Sequence, residues 1–235
     1  ILAYIEGLPD GQEFIKTARE VSRKLPILVL KSGVTESGSR AVSSHTGSLA
    51  GAEKAYDAAF YQAGVLRMSD LQDLFDSARA FANQPLLKGN RIAIVTNAGG
   101  PGILATDSLE RSDMELARLS RETIQKLEEV LPEAGSTSNP VDVLGDARAD
   151  RYAAAMEVIG QDENVDGMIC IVTPQAMTEI VETANAIGKL SQRIDKPILG
   201  AFMGEEKAKA GEDVLASYNI PNYNCLLYTS PSPRD

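Results

Sequence analysis

The stretch Ser43-Ser44-His45-Thr46-Gly47-Ser48-Leu49-Ala50-Gly51 sets the chain's one histidine in a serine- and glycine-rich segment just ahead of a helical pattern. A neutral imidazole is a nucleophile, and that form is well populated near neutral pH. Backbone N–H groups at a helix start favour an anion. A phosphoryl group on His45 would meet amide donors from Gly47 onward and hydroxyls from Ser44, Thr46 and Ser48. A loop histidine beside an ordinary helix cap satisfies the same spacing, so spacing leaves both readings open.

Two further positions bear on such chemistry. Glu6 ends a strand pattern, and parallel α/β sheets bind ligands at the carboxyl ends of their strands. A carboxylate there can bond the far nitrogen of an imidazole and fix its tautomer; a solvated strand-end glutamate is the plain alternative. The run Val95-Thr96-Asn97-Ala98-Gly99-Gly100-Pro101-Gly102 passes from a strand through glycines into a helix. Such a turn lets backbone approach an anion and offers it free N–H groups. It is neither a dinucleotide fingerprint nor a P-loop, and many similar turns are only tight connections. Asn139-Pro140-Val141-Asp142 reads as turn chemistry or as a polar loop reaching a ligand. Lys31, Arg40 and Lys54 are cations near these segments and take no assigned role.

The elements that must position these residues alternate between short β-branched runs and amphipathic stretches. Strands are expected at 1–6, 26–33, 65–68, 91–97, 114–117, 167–173 and 197–203, with 141–145 a strand or strand-like turn. Helices are expected at 9–23, 49–63, 70–81 with Ser69 as cap, 99–111, 121–130 with Ser120 as cap, 149–160, 178–193 and 205–217. Residues 33–48 read as a loop. Apolar strands separated by helices predict an α/β fold of two doubly wound, flavodoxin-like parallel-sheet domains. The Pro85–Asn90 region marks the boundary, giving domains over 1–86 and 87–224. Ile1 falls inside a strand pattern, so the first domain is read as truncated. Residues 225–235, CLLYTSPSPRD, break the pattern and are read as a non-native tail that includes Cys225.

The composition narrows the class. A chain of 235 residues that is 43% hydrophobic and 24% charged is globular and needs no disulfides. Its two cysteines form no disulfide framework or zinc set, and Cys170 reads as a buried thiol. A net charge of −10 argues against nucleic acid or an anionic membrane as partner. No apolar run reaches membrane-spanning length. A cytoplasmic protein acting on small molecules is expected.

The stretches YIEG at 4–7, KSG at 31–33, SHTGSLAG at 44–51, YDAAFYQAGV at 56–65, IVTNAGGPG at 94–102 and NPVDVLGDA at 139–147 occur in family order. Together they resemble the ADP-forming acetyl-CoA synthetase family (acetate–CoA ligase, ADP-forming), in the succinyl-CoA synthetase superfamily. The resemblance implies that His45 is the phosphorylated histidine and Glu6 the carboxylate that stabilises it. Ser44, Thr46, Gly47, Asn97, Gly99, Gly100 and Gly102 would line the phosphate, the last three at the start of one of the family's two phosphate-holding helices. It implies CoA, ATP or ADP and magnesium as substrates of the whole enzyme, with nucleotide and magnesium held outside these residues. It also implies an upstream CoA-binding domain, an ATP-grasp domain or subunit as partner, and an oligomer. Two other classes stay in view: the synthetase-like region of a protein lysine acetyltransferase, which in that family has usually lost the histidine, and a CoA-metabolite-sensing module without turnover.

Overall fold

A computed structural model describes residues 1–40 and 53–223. The chain divides into two compact units, Ile1–Phe81 and Ala82–Asp235. That division falls a few residues ahead of the expected 86/87 boundary. Residues 41–52 and 224–235 lie outside the description, and with them the histidine segment and the tail.

The first unit is built on a parallel sheet of β1 (Leu2–Ile5), β2 (Leu28–Lys31) and β3 (Leu66–Met68), with β2 in the middle. Leu2 pairs with Leu28 and Ile5 with Lys31; Leu28 pairs with Leu66 and Leu30 with Met68. Alternation along β2 sends its side chains to two faces. Val29 packs with Ala18 of α1 (Gly11–Ser22) and with Phe60 and Ala63 of α2 (Glu53–Ala63). Leu28 and Leu30 pack on the other face with Leu74 of α3 (Leu71–Asn83). The Phe14 and Phe60 rings meet edge to face at 5.8 Å, a favoured aromatic geometry.

Two local expectations change here. Residues 36–40, read as loop, are helical. The Thr35 hydroxyl accepts from the Gly38 N–H at 3.1 Å, which satisfies a donor that a helix start leaves open. At α3 the cap is Asp70, not Ser69. Asp70 accepts from the Asp73 N–H at 2.8 Å, while the Ser69 N–H donates back to the Asp73 carboxylate at 2.9 Å. Asp70 stands one residue nearer the first turn, and Asp73 in that turn reaches back to the N–H just ahead of the cap.

The second unit places β4 (Arg91–Thr96) between β7 (Gly167–Val172) on one edge and two short strands on the other. Those are β5 (Glu115–Leu116), paired with Arg91 and Ile92, and β6 (Val141–Asp142), paired with Val95 and Thr96. β8 (Ile198–Phe202) extends the sheet beyond β7. All these strand pairings are parallel. One face carries the larger core, where Cys170, Val172, Val95 and Ala93 meet Leu127, Tyr152, Met156, Ile187 and Leu215. These come from α5 (Arg121–Val130), α6 (Ala149–Gly160), α7 (Ile180–Ser191) and α8 (Lys209–Ser217). The opposite face packs Ile94, Ile171 and Ala201 under Ala105 of α4 (Gly99–Glu110). Ser120 caps α5 as expected, accepting from the Thr123 N–H at 3.1 Å.

Between β5 and β6 the edge of β4 has a gap, and a side chain fills it. Asn139 accepts from the Ile94 N–H at 2.9 Å and donates to the carbonyls of Ile92 at 2.9 Å and Ala117 at 3.0 Å. Its amide stands where strand backbone would otherwise satisfy β4. The sequence left Asn139 between turn chemistry and a ligand loop; its side chain is a piece of the sheet.

Among the described residues no helix is long and apolar enough to cross a membrane.

Candidate active site

In the first unit the strands' carboxyl ends carry Glu6 and Lys31. Glu6 follows β1 and is half-buried. Lys31 closes β2 and is 4% exposed. Beyond it the chain turns at Gly33, whose φ of 72° lies in the left-handed region that glycine enters without steric cost. His45, Ser44, Thr46 and Gly47 lie outside the described residues, which resume at Glu53 in α2.

The second unit brings Asn97, Gly99, Gly100 and Gly102 together where β4 enters α4. Asn97, assigned by the sequence to a phosphate, is 2% exposed and bonded through both ends of its amide. It accepts from the Thr173 N–H at 2.9 Å and the Thr173 hydroxyl at 3.0 Å, and it donates to the Thr173 carbonyl at 2.8 Å. Its side chain therefore ties the end of β4 to the end of β7 and engages one of its two N–H donors in doing so. The Gln175 amide donates to the Asn97 carbonyl at 3.1 Å and reinforces the tie.

The three glycines divide by role. A Cβ on Gly102 would stand 3.0 Å from the Thr96 methyl and 3.6 Å from the Pro140 Cβ, and the Gly102 N–H already donates to the Ala98 carbonyl at 3.3 Å. Gly102 is demanded by close packing. Gly99 and Gly100 are exposed, and a Cβ on Gly100 would meet nothing within 4 Å. Neither packing nor a positive φ asks for glycine at 100.

The start of α4 is electrostatically uncompensated from within its own helix. Its N-cap is Ala98, which offers no side-chain acceptor, and its first turn holds no acid. Among the described residues the Gly99 and Gly100 N–H groups have no hydrogen-bond acceptor. One carboxylate stands nearby. Asp142, at the end of β6, accepts from the Leu144 N–H through Oδ1 at 2.8 Å, while Oδ2 lies 3.7 Å from where a Gly99 Cβ would be. Leu144 holds a φ of 70°, an uncommon conformation outside glycine that the Asp142 bond helps fix.

The opposite end of the β4–β7 pair is closed by charge. Arg91 grips Asp166 through Nε at 2.8 Å and Nη2 at 2.9 Å. The Arg91 hydrogen bond holds the Asp166 carboxyl below its ordinary range. Nearby, burial would raise the Asp162 carboxyl, but N–H bonds from Ser120 at 2.7 Å and Asn164 at 2.9 Å outweigh it, and its pKa lies below the usual value. Cys170 is a buried free thiol that burial pushes far up, away from reactivity. Sequence reasoning missed Thr173 and Gln175. Their signal was position, just past the β-branched run GMICIV, at the end where parallel strands gather polar groups.

Residues 1–81 match the succinyl-CoA ligase like flavodoxin domain, and residues 92–233 match the Ligase-CoA domain. The alpha subunit of ADP-forming acetate–CoA ligase II from Pyrococcus furiosus is 43% identical over 227 residues, covering 95% of this chain and 50% of that protein. ADP-forming acetate–CoA ligase I from Archaeoglobus fulgidus is 41% identical over 223 residues, covering 95% of this chain and 31% of that protein. The solved dinucleotide forming acetyl-coenzyme A synthetase 1 of Ca. Korarchaeum cryptofilum, in complex with phosphate and ADP, superposes with a TM-score of 0.92 at 31% identity. That match covers 97% of this chain and 50% of the other. The chain thus spans a third to a half of the length of these relatives. With a succinyl-CoA ligase like flavodoxin domain followed by a Ligase-CoA domain, and with ADP-forming acetate–CoA ligases as its relatives, the chain belongs to the succinyl-CoA ligase family.

Proposed function

We propose that this chain is the phosphoryl-transfer part of an ADP-forming acyl-CoA synthetase. The reaction is acyl-CoA + ADP + phosphate ⇌ carboxylate + CoA + ATP, with acetyl as the acyl group. Phosphate attacks the thioester carbonyl and CoA leaves as thiolate, giving acyl phosphate. An imidazole nitrogen of His45 attacks the phosphorus and the carboxylate departs. ADP then takes the phosphoryl group from the phosphohistidine, which returns neutral imidazole. Dividing the transfer lets two separate sites handle one phosphate.

The observation that carries this reading is the uncapped glycine start of α4. Its exposed Gly99 and Gly100 N–H groups have no acceptor among the described residues, its first turn has no acid, and open space lies at Gly100. An oxyanion satisfies all three conditions. Gly102 and Asn97 act behind that surface, by packing the helix on Thr96 and by holding the turn to Thr173. Glu6 supports the imidazole, and Ser44, Thr46 and Gly47 donate to the phosphate beside it. Among the described residues no cluster of three or more His, Cys, Asp or Glu side chains could hold a metal ion. Magnesium belongs with the nucleotide, on an ATP-grasp domain or subunit that partners this chain, and CoA on a domain preceding it. The assembly is an oligomer and works in the cytoplasm.

The test uses the complete polypeptide that contains these residues, with its nucleotide-binding partner, radiolabelled ATP and magnesium. Acid-labile, alkali-stable label on the protein that disappears in His45→Ala is the expected result. An unlabelled wild-type protein that still binds ATP would sink the synthetase reading.

A further inference from the structure

Lys31 is a buried positive charge. It is 4% exposed, yet among the described residues no carboxylate forms an ion pair with it. Its Nζ donates to the neighbouring Ser32 carbonyl and lies 4.7 Å from the centre of the Tyr56 ring. A carbonyl and a ring face ease the burial of an ammonium without neutralising it. The nearest acids of α2 are engaged elsewhere: Glu53 and Asp57 both pair with Arg67 on β3. Within one small sheet, one cation holds two carboxylates and the more deeply buried cation holds none.

Lys31 ends the middle strand of a parallel sheet, at the edge where such folds bind ligands. The Tyr56 hydroxyl is held by the Leu8 N–H at 3.3 Å, which steadies the ring under the ammonium.

We infer that Lys31 is an anchor for a phosphate oxyanion at the carboxyl end of the first unit's sheet. That the oxyanion is the phosphate in transit rests on the proposed synthetase reading; that the site takes an oxyanion rests on the buried cation itself. An ammonium has three donors, and the Ser32 carbonyl takes one, so a phosphate oxygen gains a charge-assisted bond while supplying the missing negative charge. Removing a purely structural lysine would destabilise the fold in every salt, because the ring contact and the Ser32 bond would be lost with no repulsion relieved.

The experiment compares thermal unfolding of the 235-residue chain with its Lys31→Met and Lys31→Arg variants, in chloride, acetate and phosphate at matched ionic strength. Phosphate is expected to raise the melting temperature of wild type and of Lys31→Arg, acetate to leave both unchanged, and Lys31→Met to lose about tenfold or more in phosphate affinity. In chloride, Lys31→Met should melt at the wild-type temperature or above it, since an apolar side chain of similar shape relieves an unpaired buried charge. Equal phosphate shifts in wild type and Lys31→Met, no shift in wild type, or an equal shift with acetate would each overturn the anchor. The His45 labelling assay separates the two claims. Unlabelled wild type with a Lys31-dependent phosphate shift removes the synthetase reading and keeps the oxyanion site. Labelled wild type with a phosphate shift indifferent to Lys31 does the opposite.

Discussion

The two sheets treat their carboxyl ends in opposite ways. In the second unit the side chains of Asn97 and Asn139 are bonded to protein: Asn97 to Thr173, and Asn139 to Ile92, Ile94 and Ala117. The backbone N–H groups of Gly99 and Gly100 have no acceptor among the described residues. In the first unit, among the described residues, the buried ammonium of Lys31 has no ion-pair partner, and its sheet is thinner, with Leu2 and Tyr4 of β1 about half exposed. One unit presents rigid N–H donors on a closed scaffold; the other presents a formal charge. Fixed dipoles meet an oxyanion without reorganisation, and a formal charge supplies the larger Coulomb attraction.

Asn97→Asp tests the closed end most severely. It keeps two acceptors for Thr173 but deletes the donor to the Thr173 carbonyl and places a carboxylate in a site 2% exposed. A loss of about 3 kcal/mol of stability is expected in chemical denaturation of the chain. Tolerance of this change would break the contrast, since it would mean that the β4–β7 junction has room for charge after all. Asn139→Ala should cost slightly less, about 2–3 kcal/mol, because its site is half-buried and water can reach some of the three backbone groups it abandons. Its signature is hydrogen exchange: the Ile94 amide should exchange faster while amides of α7 hold their protection.

Much of this arrangement is legible in the sequence, and the rest fails for identifiable reasons. The parallel α/β class and most elements follow from apolar runs such as GMICIV and RIAIVT, whose type no other local signal contests. The glycine turn after β4 is legible for the same reason. Asn97 and Asn139 were placed near the chemistry, but their side-chain partners lie 76 residues away at Thr173 and 45 and 47 residues away at Ile94 and Ile92. Local pattern carries no information about such pairing, and an asparagine that patches a sheet reads like one that binds a ligand. Lys31 is the converse case. The sequence gives no sign that Arg67 will draw both Glu53 and Asp57, so it cannot show that Lys31 is left without either.

Asp162 sharpens the comparison by pH. Its folded-state pKa is depressed, so its contribution is complete above the unfolded value of about 3.9 and is lost as pH falls through the folded value. Asp162→Asn should cost about 1–2 kcal/mol near neutrality, through weaker acceptance from Ser120 and Asn164. That gap should narrow steadily as the wild-type carboxylate protonates below pH 4. A gap independent of pH would show that the carboxylate's charge plays no part in holding the two amides. Because Asp162 stands away from the glycine turn, phosphate binding should be the same in both proteins at neutral pH.

The smallest expected effect on stability is the most telling one, because it separates scaffold from site within four residues. Gly102→Ala puts a methyl group 3.0 Å from the Cγ2 of the buried Thr96, tighter than ordinary contact, so strand and helix must give by a few tenths of an ångström, and a loss of about 1 kcal/mol is expected. Gly100→Ala meets nothing within 4 Å and should stabilise the chain by about 0.5 kcal/mol, since alanine lowers the entropy of the unfolded state and favours the helix. If the open space at Gly100 is where an oxyanion approaches, the stabilised variant should nonetheless lose phosphoryl transfer, whereas Gly102→Ala should lose it only as far as α4 moves. Measuring melting temperature and His45 labelling on both variants crosses the two properties. A Gly100→Ala protein that is more stable and labels at the wild-type rate would show that the glycine start of α4 is only a tight βα turn.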